Sequence, residues 1–356
     1  MAQTSLFDSE ATPAGAAVQP ALPSAALQQL AAHLQQASGG RLYLGTSSWH
    51  FPGWQGQVWR GMHTPAQLSQ QGLAGYAAHP LLNTVSLDRS FYRPLDAATY
   101  AALAAQVGPG FRFVVKAPAC ISDALLREPG TGRGLQPNPL FLDPAAALRL
   151  CAQPLAQGLG SRLGVLVLQL SPLPAALLAD PAALHARLAA LFETVLPALP
   201  AGALAALELR DPALLSPALA ALLKGLGLRY ALGLHDRMPP ADEQLPMLRA
   251  LWPGDLVCRW NLQRGQRYAQ ARDAWAPFER LRAPDPDTRA TLARVMAATL
   301  QAGQRVFVTI NNKAEGSAPA SVQALAQALA ALLPAVPPGA PAQAAPATPG
   351  SEAGAP

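Results

Sequence analysis

Charge is scarce in this chain. Of its 356 residues 13% are Asp, Glu, Lys or Arg while 51% are hydrophobic, which excludes a protein that stays unfolded for want of apolar surface. Cysteine is scarcer still. Cys120, Cys151 and Cys258 are odd in number and widely spaced, which excludes a disulfide framework and any Cys-x-x-Cys metal site. The opening Met1-Ala2-Gln3-Thr4-Ser5 lacks the basic region and apolar core of a signal peptide, so a reducing cytoplasm is expected. No long apolar run is present. The longest uncharged apolar stretch, Leu163 to Ala179, is broken by Gln169, Ser171, Pro172 and Pro174, and reads as a buried strand followed by a turn rather than a membrane span.

Motif signals are also missing. No Gly-x-Gly-x-x-Gly or Walker-type loop is present for a dinucleotide or a nucleoside triphosphate, so no cofactor is expected. The six histidines include no pair at helical ligand spacing, so no metal is expected either. The alternative is a site assembled from separate strands by Asp88, Glu208 and His235. The net charge of +5 is a mild excess that allows an anionic partner and equally fits a slightly basic soluble surface.

Proline, alanine and glycine are abundant, and they mark the ends of the chain. Asp8 to Ser24 and Pro334 to Pro356 contain almost no large apolar residue. Composition therefore predicts disordered tails over 1–26 and 334–356, with one domain over 41–333. A short helix is expected at Leu27–Ala37. Within the domain, eight apolar runs read as strands covered on both faces: Leu42–Gly45, Asn83–Leu87, Phe111–Lys116, Gly164–Leu170, Leu204–Leu209, Arg229–Leu234, Leu256–Trp260 and Val306–Ile310. Helical patterns lie between them at Ala97–Val107, Pro144–Gln157, Pro181–Leu196, Ala213–Leu226 and Asp287–Gln301, with Pro144, Pro181 and Pro212 at helix-start positions. Eight such units predict a single-domain α/β protein of the (β/α)8 TIM-barrel type, with an open doubly wound sheet as the alternative.

In a parallel barrel the chemistry gathers where strands end. The residues there are polar: Thr46 to His50, Asp88 to Tyr92, Lys116, Gln169, Glu208 and Arg210, His235 and Asp236, Arg259 and Asn261, then Asn311, Asn312 and Lys313. Glu208, Arg210, Lys116 and Arg259 stand within or directly against buried runs, where an unpaired charge is costly.

The motifs Leu44-Gly45-Thr46-Ser47-Ser48-Trp49, Ser90-Phe91-Tyr92-Arg93, Phe111 with Val114-Val115-Lys116-Ala117-Pro118, Leu168 to Pro172, Glu208-Leu209-Arg210, and Asn311-Asn312 with Gly316, Ala318 and Pro319 occur in the order found in one family. The chain resembles the YecE-like domain-of-unknown-function 72 family from about Leu42 to Leu333. That resemblance implies a TIM barrel and no established reaction. It depends on Lys116, Gln169, Glu208, Arg210, Arg259, Asn311 and Asn312 as matching positions. Ser86 and Asp88 depart from the family's Glu and Asn, Asn261 from its His, and Ser48 from its Gly.

These residues predict a site at the C-terminal barrel mouth for an anionic, phosphorylated or nucleic-acid-derived substrate. Lys116, Arg210 and Arg259 would form its electrostatic frame, with Glu208 as general acid or base of a hydrolase or lyase. An ion pair with Arg210 is the alternative role for Glu208. Gln169, Asp88, Asn311, Asn312, Trp49 and Tyr92 are expected to bind substrate. Ser317 is the expected N-cap of a helix after the last strand whose N-terminus would hold a phosphate. The competing class is a non-catalytic module that binds nucleic acid or a sliding clamp, drawing on Arg259, Arg264, Arg267 and Arg272.

Gln3-Thr4-Ser5-Leu6-Phe7 resembles the peptide by which bacterial replication and repair proteins dock on the DNA sliding clamp. Leu6 and Phe7 would fill an apolar pocket while Gln3 anchors the strand. A peptide spanning residues 1–10 is expected to bind such a clamp with micromolar affinity, about −8 kcal/mol. Replacing Leu6 and Phe7 together by alanine should abolish binding in fluorescence polarisation. Equal affinity of the parent and doubly substituted peptides would refute the assignment.

Overall fold

The computed structural model describes residues 17–128 and 134–334. Gln3, Leu6 and Phe7, the tail from residue 335, and residues 129–133 lie outside the described residues. Among the described residues ten strands are present: β1 Leu42–Thr46, β2 Thr84–Leu87, β3 Arg112–Lys116, β4 Leu125–Arg127, β5 Gly134–Pro137, β6 Leu163–Gln169, β7 Leu204–Glu208, β8 Arg229–Leu234, β9 Leu256–Trp260 and β10 Val306–Ile310. Eight of them close into one barrel in the order β1-β10-β9-β8-β7-β6-β3-β2. Every barrel pairing is parallel. The eight apolar runs of the sequence are these eight strands, so the closed barrel holds and the open sheet does not. The antiparallel β4–β5 hairpin interrupts the long connection from β3 to β6. It has no counterpart in the sequence reading, because its three- and four-residue strands carry no apolar alternation.

The period-two alternation of strand side chains decides what lies inside. Val114, Val165, Val167, Leu204, Ala206, Ala231, Val257 and Phe307 form one buried cluster, with Tyr43 against it, and the Tyr43 and Phe307 rings stack at 4.4 Å. These residues alternate with Leu44, Leu166, Leu168, Leu207, Leu232, Cys258 and Val308, which belong to the larger cluster beneath the helices. One further step of two along β3, β6, β7 and β9 reaches Lys116, Gln169, Glu208 and Arg259. The polar strand ends are therefore the topmost layer of the barrel interior, not part of its outer face.

Helices cover the outside, and several begin on a sequence-encoded cap. Ser24, Thr64, Asp96, Asp143, Asp180, Ser216 and Asp285 each accept a hydrogen bond from the backbone N–H three residues on. The helix expected from Ala213 starts later, at Pro217, because Ser216 supplies the cap while Pro212–Leu214 makes only a 3-10 turn. The helix expected as continuous from Pro144 to Gln157 is divided by a π segment at Leu148–Ala152. Pro154 follows that segment, has no N–H to donate, and its ring displaces the carbonyl one turn earlier.

Residues 17–26, which fall in the segment expected as a disordered tail, pack against the domain. Val18 is buried, Ala21 N donates to Val58 O at 2.9 Å, and Arg60 N donates to Gln19 O at 2.9 Å. Residues 17–21 thus lie along the loop that contains Trp59, and the helix Ala25–Ser38 follows directly. Among the described residues no helix is long and apolar enough to cross a membrane.

Closure between β1 and β2 depends on a missing side chain. A Cβ on Gly45 would stand 1.8 Å from the carbonyl oxygen of Thr84, and a backbone atom of a paired strand has nowhere to go. Gly45→Ala is expected to cost at least ~3 kcal/mol, at or beyond the upper end of ordinary overpacking. The check is a thermal melt followed by circular dichroism, and an unchanged midpoint would contradict this account of the seam.

Candidate functional site

The top layer of the barrel is built around the Glu208 carboxylate, which is fully buried. Its Oε2 accepts from Arg259 Nη1 at 2.5 Å, and its Oε1 pairs with Arg210 Nη1 at 2.6 Å. Asn261 Nδ2 donates to the same Oε1 at 3.2 Å. Residue 233 on β8 faces this pair and is glycine. A Cβ there would lie 3.2 Å from Glu208 Oε1 and 3.4 Å from Arg210 Nη1, so the absent side chain makes room for the ion pair.

The network continues outward from the guanidinium groups. Arg259 Nη2 donates to Asp88 Oδ1 at 2.7 Å, and the Ser86 hydroxyl donates to the same oxygen at 2.7 Å. Arg210 Nη2 donates to Gln169 Oε1 at 2.9 Å, with Arg259 Nη1 3.5 Å from that atom. Side chains from β2 and its following loop, β6, β7 and β9 with their following residues are thereby locked together. Ser86 and Asp88 still deliver a carboxylate to Arg259, and Asn261 still reaches Glu208, although all three depart from the residues expected by family resemblance.

This arrangement fixes the charge state of Glu208. Burial alone would push its carboxyl up. The charges of Arg210, Arg259 and Lys116, with the Arg259 hydrogen bond, outweigh that and hold it at about 2. Glu208 is thus held as an anion at neutral pH and is ion-paired with Arg210, the alternative role expected of it. Nor is the strand-assembled metal set of Asp88, Glu208 and His235 formed, because the Arg259 guanidinium occupies the space between the two carboxylates. Among the described residues no group of three His, Cys, Asp or Glu side chains is placed to hold a metal ion. His235 Nδ1 lies 2.5 Å from Asp236 Oδ1. Burial first, then the Arg210 charge, lower its imidazole to about 4, so it is neutral at pH 7.

Lys116 differs from the other cations. It is 8% exposed, and its Nζ lies 3.8 Å from the centroid of the Phe91 ring without an ion pair or hydrogen bond among the described residues. Phe91 sits on the helical turn Arg89–Tyr92. The Ser90 hydroxyl ties that turn to the strand end, 2.6 Å from the Leu87 carbonyl and 2.7 Å from that of Lys116. Burial, then the Arg259 and Arg210 charges, push the Lys116 ammonium down to about 8 against the pull of Asp88 and Glu208.

A second lysine at the mouth was absent from the expected site. Lys313 is 4% exposed, and its Nζ lies over the Tyr268 ring at 4.2 Å and the Phe278 ring at 5.5 Å. It donates to Asn311 Oδ1 at 3.3 Å, so Asn311 positions this cation. Burial and Arg272 lower its ammonium to about 8, with Asp88 opposing. The signal that would have found it is compositional. The chain has three lysines, Lys116, Lys224 and Lys313, against 23 arginines, and two of the three end up buried at this mouth.

Three expected substrate contacts lie elsewhere. Trp49 is 3% exposed and donates from its indole to the Leu68 carbonyl at 3.1 Å, so it packs the first loop onto a helix. Ser317 stands at the cap position, but its fully buried hydroxyl bonds Gln57 Oε1 at 3.1 Å rather than the helix. Asn312 does the capping. Its Oδ1 accepts from Ala318 N at 2.8 Å and from the Trp54 indole at 3.0 Å. The N-terminus of the helix Ala318–Ala330 is thus filled by protein and buried, so the phosphate expected there has no room. Tyr92, by contrast, is 84% exposed and stands at the rim.

With this geometry established, the comparisons place the chain. The family model described as a protein of unknown function, DUF72, matches residues 43–345. The chain belongs to the DUF72 family. A DUF72 family protein from Enterococcus faecalis V583 has a TM-score of 0.52 at 17% identity, over 81% of this chain and 95% of that one. Another from Thermotoga maritima MSB8 has a TM-score of 0.52 at 15% identity, over 80% and 96%. At such identity the likeness shows a shared fold. No curated protein matches the chain.

Glu208 makes the DUF72 barrel acid-sensitive in a defined direction. A carboxyl held at about 2 in the folded state and near 4.3 in the unfolded chain contributes stability that is complete above the unfolded value. That contribution is lost as pH falls from there toward 2. Glu208→Gln is expected to cost ~3–5 kcal/mol at pH 7, because it leaves two guanidiniums without their shared anion. It should also flatten the acid limb of a plot of urea-unfolding free energy against pH. A variant that keeps the parental acid limb would show that Glu208 is not the group responsible.

Proposed function

We propose that this DUF72 barrel is an enzyme of hydrolase or lyase type that takes a small anionic substrate at its C-terminal mouth. Lys116 and Lys313 hold the anion, and Lys116 is the group that exchanges protons with it. The observation that carries this reading is the inequality among the cations. Arg210 and Arg259 are committed to Glu208, Asp88 and Gln169. Lys116 has no carboxylate within ion-pair distance among the described residues, and the ring beneath it leaves its donors free for a ligand. An ammonium lowered to about 8 also holds both protonation states near neutral pH, as acid–base work requires.

Burial argues for a small ligand. Lys116, Arg210, Arg259 and Lys313 are each at most 8% exposed, whereas backbone phosphates of a nucleic acid are met by cations on an open surface. The non-catalytic nucleic-acid reading would rest instead on Arg264, Arg267 and Arg272, which are exposed around the loop after β9. Recruitment to a sliding clamp through Gln3, Leu6 and Phe7 is a separate proposal about location, and it is independent of the chemistry at the mouth.

Lys116→Ala is expected to weaken binding of inorganic phosphate about tenfold, ~1.4 kcal/mol. Arg264→Ala should leave it unchanged. Affinity for the unsubstituted protein should fall as pH rises through about 8, where both mouth lysines lose their protons. Isothermal titration calorimetry over pH 6 to 9 checks all three. Phosphate affinity lost with Arg264 and retained with Lys116 would favour the surface reading.

A further inference from the structure

Arginine supplies nearly every cation in this chain. It occurs 23 times, and lysine three. Lys224 is exposed on the helix Pro217–Gly225, while the other two are in the mouth. Arginine cannot lose its proton in a protein, so it cannot present a free amine. Lysine can, and a lysine among other cations in a desolvated pocket is the form in which that amine becomes nucleophilic.

The surroundings of Lys116 match that requirement, whereas those of Lys313 do not. Lys313 Nζ is tied to Asn311 Oδ1. Lys116 Nζ has the face of Phe91 at 3.8 Å and a side chain turned into the same interior layer as Glu208 and Arg259. Among the described residues it has no carboxylate partner, which leaves the nitrogen lone pair uncommitted once a proton departs.

Resting on the reading of the mouth as an anion site, we infer that Lys116 forms an imine with the carbonyl carbon of a small anionic aldehyde or ketone. The neutral amine attacks the carbonyl carbon, and a C–N bond forms as the C=O π pair moves to oxygen. That oxygen then leaves as water, taking two hydrogens. From the lysine ammonium and the carbonyl compound the products are a protonated imine and one water molecule, with no change in net charge and no oxidant or reductant. The iminium formed is again a cation and keeps its place over the Phe91 ring. The fixed Asp88–Arg259–Glu208–Arg210 network adds no competing amine.

The test uses glyoxylate, a small α-oxo acid, with sodium cyanoborohydride on the full chain at pH 7, followed by peptide mass mapping. Reduction fixes the imine as a carboxymethyl group on whichever lysine formed it, and Lys224 is the internal control. Labelling of Lys116 at least tenfold faster than Lys224 is expected, rising with pH through about 8 and slowed by inorganic phosphate. Labelling of Lys313 or Lys224 in preference to Lys116 would overturn the inference, as would no labelling of Lys116. Lys116→Arg separates this inference from the anion reading beneath it. It keeps the cation, so phosphate binding measured by calorimetry should persist while the adduct disappears. Phosphate binding in the parent protein with no adduct on Lys116 removes the imine alone; no phosphate binding in the parent protein removes the anion reading.

Discussion

A carboxylate with no exposure to water has to be neutralised by its neighbours, and in this barrel Glu208 sets that condition for everything near it. Two guanidiniums and an amide converge on its oxygens. Each guanidinium then brings needs of its own. Arg259 is met by Asp88, which Ser86 holds, and Arg210 is met by Gln169. The glycine at position 233 follows from the same condition, since any larger residue would press on the pair. Removing one member of such a chain of pairings strands the next, and this makes the cluster behave as one unit.

The network accounts for charge balance and leaves a remainder. Arg210, Arg259 and Lys116 carry three positive charges, and Glu208 and Asp88 two negative ones, so these five groups keep one positive charge, and among the described residues Lys116 is the member without a carboxylate partner. A rigid, paired floor beneath a single uncommitted ammonium separates structural electrostatics from working electrostatics. The arginines hold shape, and the lysines face the mouth over aromatic rings, where a cation is stabilised without being quenched.

Much of this was legible in the residues themselves. Each barrel strand carried its own largely apolar run, and Lys116, Gln169, Glu208 and Arg259 stood out as polar residues within or directly against those runs. Pairing is where the sequence falls silent. Glu208 and Arg210 are two positions apart and visibly related, but Glu208 and Arg259 are 51 positions apart, and that contact decides whether the carboxyl titrates near neutrality or stays charged. Asn312 and Ser317 show the same limit at closer range. Both are polar residues near a helix start, and which of them caps it depends on Gln57 and Trp54, contributed by the first loop. Trp49 looked like a rim aromatic because it follows a strand, yet its indole finds a carbonyl inside the protein.

The contacts between the first and last loops carry a consequence for how the molecule is made. Trp54 reaches Asn312 across 258 positions and Ser317 reaches Gln57 across 260, while β1 lies beside β10 for its full length. A nascent chain emerging from its amino end has none of these partners until nearly all of it has been synthesised. Its opening strand must wait with one edge unpaired, which is the exposure that makes high-contact-order sheets slow to form and open to misassociation. The barrel thus verifies its own completeness. A product ended before Val306 lacks β10, the strand that closes the barrel between β1 and β9, together with the Asn312 amide that receives the Trp54 indole, so premature termination there leaves an open sheet rather than a shorter version of the same barrel.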